Sequence, residues 1–217
     1  MTTKNQKRVG KLPQTKMIVT KFESREEWLS ARLGKISGSR LKDIVVKRGN
    51  GKKLGFYELI AERIGIPADG ENPMDRGTRL ETEAIEKFSK ETGKEVDTSL
   101  VLWKRTDNES IVISPDGFIG DTEAVEAKCL ASARHIEAFL TQKIPSDYEF
   151  QVLQYFIVNE NLKTLYFIFY DPRVLAKPYF VIEIKRESVQ AEVEEYLEFE
   201  RKTIEEVDEI VNQLTNF

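Results

Sequence analysis

Ser114-Pro115-Asp116-Gly117, followed by Val125-Glu126-Ala127-Lys128, is the stretch from which the fold can be worked out. The preceding Ile111-Val112-Ile113 is β-branched and reads as a strand, Pro115 presets φ for a turn, and Asp116-Gly117 supplies turn residues. A strand therefore ends at Asp116. Asp121 opens a second turn, and the alternation from Ala124 to Leu130 puts Glu126 and Lys128 on one face of the returning strand, where Asp116 can meet them.

That spacing carries a chemistry. Converging carboxylates in a partly desolvated pocket repel each other, and the hard, oxygen-loving cation that cancels the repulsion is Mg²⁺ or Mn²⁺. An ammonium beside them orients a water or stabilises charge developing on a scissile phosphate, as metal-assisted phosphodiester hydrolysis requires. The plainer reading is also open: Asp-Gly turns are common, and Glu-x-Lys on an exposed strand face is ordinarily a solvated pair.

Composition narrows the classes. With 217 residues, 40% hydrophobic and 32% charged, the chain can bury one substantial core. The expected organisation is a basic, flexible segment over 1–20 and one domain over 21–217. No apolar run reaches membrane-spanning length and no hydrophobic leader opens the chain, so a cytosolic protein is expected. One cysteine, Cys129, and one histidine, His135, exclude a disulfide framework and Cys- or His-rich metal sites. A net charge of −4 is not that of a general nucleic-acid coat, so contacts with phosphate must be local. Lys4, Lys7, Arg8, Lys11 and Lys16 form an acid-free run, and Lys47 to Lys53 is a basic glycine-containing loop. Either is a phosphate contact or a solvated segment.

Around the hairpin the elements follow from periodicity and caps. Ser24 caps a helix to about Leu33 that stops at Gly34; further helices are predicted over 39–46, 54–64 and 75–92, the last ending at Gly93. In the helix over 75–92, Glu81 falls on the apolar stripe with Ala84, Ile85 and Phe88, where a carboxylate must be paired, protonated or near a metal. Strands at 95–103, 110–114, 118–119 and 124–129 read as an antiparallel meander. A short helix over 132–140 follows, then one capped by Asp147 and running to Asn159, in which Tyr148, Gln151, Val152 and Tyr155 share a face. Gln151 is thus either a core amide or a group that orients a water. Strands at 165–170 and 179–184 complete the sheet, and a final helix over 187–214 packs on its own domain, with an oligomer contact as a lesser use.

In order along the chain, Trp28-Leu29-Ser30-Ala31-Arg32-Leu33-Gly34-Lys35-Ile36-Ser37-Gly38-Ser39, Met74-Asp75-Arg76-Gly77-Thr78-Arg79-Leu80-Glu81, Ser114-Pro115-Asp116-Gly117, Glu126-Ala127-Lys128 and Ile144-Pro145-Ser146-Asp147-Tyr148-Glu149-Phe150-Gln151 resemble the lambda-type viral recombination exonucleases. These phage-type alkaline exonucleases are a branch of the PD-(D/E)XK nuclease superfamily. The resemblance implies an α/β (α+β) fold, a central mixed sheet flanked by helices around a restriction-endonuclease-like core. It implies a hydrolase that digests one strand of linear double-stranded DNA from 5′ to 3′ during recombination, with two Mg²⁺ ions that Mn²⁺ can replace. Asp116, Glu126, the Ala127 carbonyl and Glu81 would be the metal ligands, and Lys128 with Gln151 would activate the attacking water. Arg32, Ser39, Ser114 and Arg134 would hold the terminal 5′-phosphate, where an arginine fork is better suited than lysine. The family's ring-shaped trimers, single-strand annealing partner and bacterial host cytoplasm are implied likewise. The competing readings are a sequence- or structure-specific endonuclease, which needs no terminal pocket, and an inactive DNA-binding assembly subunit.

Overall fold

The computed structural model describes residues 17–46, 53–63, 75–130, 132–172 and 174–215. The chain runs through β1 (Met17–Lys21), α1 (Arg25–Ala31), α2 (Gly38–Ile44), α3 (Leu54–Arg63), α4 (Asp75–Thr92), β2 (Val101–Arg105), β3 (Val112–Ile113), β4 (Gly117–Ile119) and β5 (Glu123–Lys128). It continues through α5 (Ser132–Thr141), a 3₁₀ turn at Ser146–Tyr148, α6 (Glu149–Val158), β6 (Thr164–Tyr170), β7 (Tyr179–Lys185), a 3₁₀ turn at Arg186–Ser188 and α7 (Gln190–Thr215). The expected mixed sheet flanked by helices is present, and several caps fall where the residues place them. Ser24 Oγ accepts from the Glu27 N–H at 3.2 Å, and Gly34 and Gly93 take φ of +67° and +69° after their helices.

Two features differ from the sequence expectation. The meander is not continuous: β1-β2-β3 form one antiparallel sheet, and β4-β5-β6-β7 a second. Asp97 Oδ1 accepts from both the N–H and the hydroxyl of Ser99, a local turn that interrupts the extended run predicted from 95, and Pro115 has no N–H to extend β3. The second sheet is antiparallel at β4–β5 (Gly117↔Val125), parallel at β5–β6 (Glu126↔Phe167) and antiparallel at β6–β7. The parallel pair requires a crossover, which α5 and α6 supply. The second difference is that Asp147 does not cap α6: it sits in the 3₁₀ turn, and α6 begins at Glu149. Residues 17–20, placed by sequence in the N-terminal segment, form most of β1; the rest of that segment and residues 47–52 of the basic loop lie outside the described residues.

Alternation along β5 divides the core. Val125 and Ala127 face α4, meeting Ala84, Ile85 and Phe88, whereas Ala124 faces the larger cluster built from α6, Phe167, Phe169 and α7. Each large apolar side chain so buried contributes about 1.5–3 kcal/mol relative to exposure. Glu126 and Lys128, in phase with Ala124, therefore point toward α6. α7 packs on its own chain through Val193, Leu197, Ile204 and Val207. Gln154 on α6, fully buried, donates to the carbonyls of Ile36 (3.2 Å) and Val112 (3.3 Å), tying the segment before α2 to β3. At the start of α2, a Cβ on Gly38 would lie 2.6 Å from Ile113 Cδ1 and 3.0 Å from Gln151 Cγ, so only glycine lets α2 approach α6 this closely.

Candidate active site

β4 ends the pairing of β5 at Val125, so the next peptide on that edge, Ala127, has no strand partner there among the described residues. Asp116 fills the gap: its Oδ2 accepts the Ala127 N–H at 2.8 Å. A strand residue presents its N–H and C=O to the same edge, which carries the Ala127 carbonyl to the side on which Asp116 stands. Glu126, 1% exposed, is held by three donors. Lys128 Nζ and Gln151 Nε2, the latter at 2.5 Å, donate to Oε1, and the Tyr155 hydroxyl donates to Oε2. Strand and helix thus meet at Glu126, and the turn residue Asp116 bonds the adjoining peptide.

The charges act on one another. Burial and the neighbouring Glu126 push the Asp116 carboxyl well above the usual carboxylate range, and Glu81 adds to the shift while Lys128 opposes it. Glu81 is itself raised by burial and by Glu126, with Lys128 and Arg25 opposing. For Lys128, burial favours the neutral amine, but Glu126 and Asp116 outweigh it and keep the group an ammonium. Its Nζ also lies 5.3 Å from the centroid of the Tyr148 ring. Asp116 and Glu81 open on a cleft of about 910 Å³ lined also by Arg25, Trp28, Lys90 and Pro115.

Arg32 caps the C-terminus of α1 and stacks its guanidinium over Trp28, 4.5 Å from the ring centroid. Trp28 is fixed by its own indole N–H, which donates to the Val101 carbonyl at 3.2 Å. Burial lowers the pKa of Arg32, while Glu126 and Asp116 raise it, so its charge stands within reach of both carboxylates. Ser39, an exposed residue inside α2 rather than a helix cap, has its Oγ 3.3 Å from that of Ser37. Ser114 Oγ is buried and, among the described residues, without a hydrogen-bond partner, two residues before Asp116. Arg134 lies on α5, but its side chain is outside the described residues.

Sequence reasoning gave no role to Tyr155, Tyr148 or Trp28. The signal for Tyr155 was available, since it follows Gln151 by one helical turn on the same face of α6. His135 is buried, its Nε2 2.8 Å from the Lys177 carbonyl, and takes no part in the site. Burial pushes the Cys129 thiol up to about 12, which leaves it unreactive at neutral pH.

Among the described residues, no three His, Cys, Asp or Glu side chains are gathered so as to enclose a metal ion by themselves. The donor chemistry nevertheless fits a hard divalent cation: every donor is oxygen, and the three donors on Glu126 leave acceptor capacity on both it and Asp116. Mg²⁺ keeps several of its waters and binds proteins through one or two carboxylates. Such an ion needs no third protein carboxylate.

Residues 27–161 match the YqaJ-like viral recombinase domain. No curated protein matches the chain. Among solved structures, an alkaline exonuclease, LHK-Exo, from Laribacter hongkongensis is 30% identical and superimposes with a TM-score of 0.74 over 87% of this chain and 95% of its own. A structure of LHK-Exo in complex with dAMP matches to the same degree. A phage-related exonuclease from Haemophilus somnus 129PT shares the fold (TM-score 0.56) at 14% identity, over 83% of this chain and 96% of its own. With the hairpin carboxylates, the lysine and the α6 glutamine assembled on a sheet of this kind, the chain belongs to the YqaJ-like viral recombinase family and is a recombination-related nuclease of the phage-type alkaline exonuclease class.

Proposed function

We propose that the protein is a Mg²⁺-dependent exodeoxyribonuclease that digests one strand of linear double-stranded DNA from 5′ to 3′. The observation that carries this reading is Arg32. Among the described residues its guanidinium has no hydrogen-bond or ion-pair partner, and it stacks on an anchored tryptophan within charge reach of Asp116 and Glu126. A half-buried guanidinium left without an anion among the described residues is suited to one in the substrate. Placed beside the cleavage centre, it would hold a terminal phosphate a fixed distance from the bond to be cut. An endonuclease needs no pocket for a terminal phosphate.

In this reading Asp116, Glu126 and the Ala127 carbonyl would hold two Mg²⁺, replaceable by Mn²⁺, and Glu81 on α4 would serve directly or through water. When bound, the ions lower the pKa of water and stabilise both the attacking and the leaving oxygens. The chain's own groups do the orienting. Lys128, kept cationic by its neighbours, holds the water and offsets charge gathering on the phosphate, and Gln151 and Tyr155 fix the Glu126 carboxylate between them. Arg32, Ser39, Ser114 and Arg134 form the 5′-phosphate pocket. The orphaned buried hydroxyl of Ser114 supports its membership, since a phosphate oxygen would satisfy it. That LHK-Exo is described in complex with dAMP supports nucleotide binding by a protein of this fold. Residues 21–217 act as one nuclease domain. The family resemblance extends the proposal to a ring-shaped homotrimer working on duplex ends with a single-strand annealing protein, in the cytoplasm of a bacterial host.

Arg32→Ala tests the pocket. It should reduce the ratio of kcat/KM for 5′-phosphorylated over 5′-hydroxyl duplex ends by roughly 10- to 100-fold, the scale of a lost charge-assisted hydrogen bond. Identical rates on the two kinds of end in the unaltered protein would overturn the assignment.

A further inference from the structure

Gly34, at φ +67°, turns the chain from α1, whose C-cap is Arg32, to α2, which carries Ser39 and Arg40. Both of its backbone groups are gripped by consecutive residues at the end of α3. The Gly34 N–H donates to Glu62 Oε2 at 2.6 Å, and the Gly34 carbonyl accepts from Arg63 Nε at 3.0 Å.

The grip is anchored on further elements. Glu62, with 1% of its side chain exposed, accepts Arg40 Nη2 on its other oxygen at 2.5 Å. Arg63 donates to Ser110 Oγ at 2.8 Å and to Asp208 on α7. Ser110 in turn accepts the Ile36 N–H on its carbonyl at 2.9 Å, closing the loop back to the segment before α2. A Cβ on Gly34 would stand 2.9 Å from Arg63 Cγ, so the approach is as close as glycine allows.

A turn between two short helices can close on its own backbone bonds; this one already has Lys35 N–H to Arg32 carbonyl at 3.3 Å. Burying a carboxylate to hold it is costly unless the carboxylate is paired, as Glu62 is with Arg40, and a turn that needed no fixed geometry could do without both. The geometry at stake is that of Arg32, whose side chain is steadied only by the Trp28 ring among the described residues, so that its position follows its backbone. Arg40 is close enough to repel it, and Glu62 supplies the counter-charge.

We infer that Glu62 and Arg63 are positioning residues for recognition of the terminal phosphate: by gripping Gly34 they set Arg32 and the start of α2 on either side of it. This rests on the 5′-phosphate pocket proposed above. Neither residue meets the catalytic carboxylates, so their loss acts on how the end is held rather than on the cleavage step.

The test compares kcat and KM on duplexes with 5′-phosphate or 5′-hydroxyl ends for the unaltered protein, Glu62→Gln, Arg63→Met and Asp208→Asn, with Tm recorded for each. Expected is a loss of roughly tenfold in phosphate preference for the first two variants, the scale set by small misplacements of a binding group. It should come through KM on phosphorylated ends, with kcat at saturating DNA retained. Asp208, 54% exposed, is replaced without threat to folding, and a loss of about two- to threefold there keeps the test decisive if the buried variants do not fold. Unchanged preference in all folded variants would overturn the inference and leave the pocket standing. Equal losses on both kinds of end together with a lower Tm would reduce the residues to structural ones and overturn it too. Absence of any preference in the unaltered protein would remove the pocket itself, and the inference with it.

Discussion

Asp116→Asn is expected to lower kcat by on the order of 10³-fold and, in EDTA, to raise Tm rather than lower it. The activity loss follows from position: Asp116 stands at the break in β4–β5 pairing, bonded to Ala127 and within charge reach of Glu126 and Glu81. The stability gain follows from charge. A carboxyl whose folded-state pKa is raised above the unfolded value near 3.9 contributes stability at acid pH that is lost as the pH rises through the raised value. At neutral pH the ionised side chain therefore weighs against folding, and asparagine, which can still accept the Ala127 N–H, removes that cost. Each kcal/mol recovered corresponds to about 2–4 °C in a chain of this size. Mg²⁺ should raise the Tm of the unaltered protein and have a much smaller effect on the variant. A lower Tm in EDTA, or cleavage at the unaltered rate, would contradict the assignment.

Lys128→Met is expected to cost both activity and stability. On sequence alone the residue reads as a catalytic group whose loss spares the fold, but its ammonium is bonded to a carboxylate that is 1% exposed. Removing it leaves Glu126 with the neutral donors Gln151 and Tyr155. Breaking a buried pair costs about 3–5 kcal/mol, reduced here to roughly 2 kcal/mol because the lysine side chain is 21% exposed. The sign is clear from the lysine's raised pKa: stability from the pair is fully present below the unfolded value of about 10.4 and is lost only as the pH rises through the higher folded one. The deficit should therefore be the same at pH 7 and pH 9, measured by urea denaturation. Single-turnover cleavage should fall by about 10²- to 10³-fold. A variant as stable as the parent would mean that Glu126 is not held as described.

The parts of this molecule that sequence makes legible are those governed by short-range rules. Ser24 caps α1, Gly34 and Gly93 end helices in the left-handed region, and Asp116, Glu126 and Lys128 follow from a turn and the two-residue period of a strand. Gln151 was legible from the face it shares on α6. What was not legible depended on distant pairing. The division into two sheets reflects the Asp97–Ser99 turn and the parallel β5–β6 register, neither of which leaves a mark in the hydrophobic pattern. Strand β1 is visible only through its partner β2. The stacking of Arg32 on Trp28 is a four-residue helical spacing that many solvated pairs share, and the grip of Glu62 and Arg63 on Gly34 spans 28 and 29 residues.

The most direct measurement is digestion of a linear duplex carrying a 5′-phosphate on one strand only, labelled at either end, with Mg²⁺ or EDTA, beside a closed circle. Expected are Mg²⁺-dependent release of nucleotides from the phosphorylated 5′ end, an intact opposite strand and an untouched circle. Nicking of the circle, or release from the 3′ end, would contradict it.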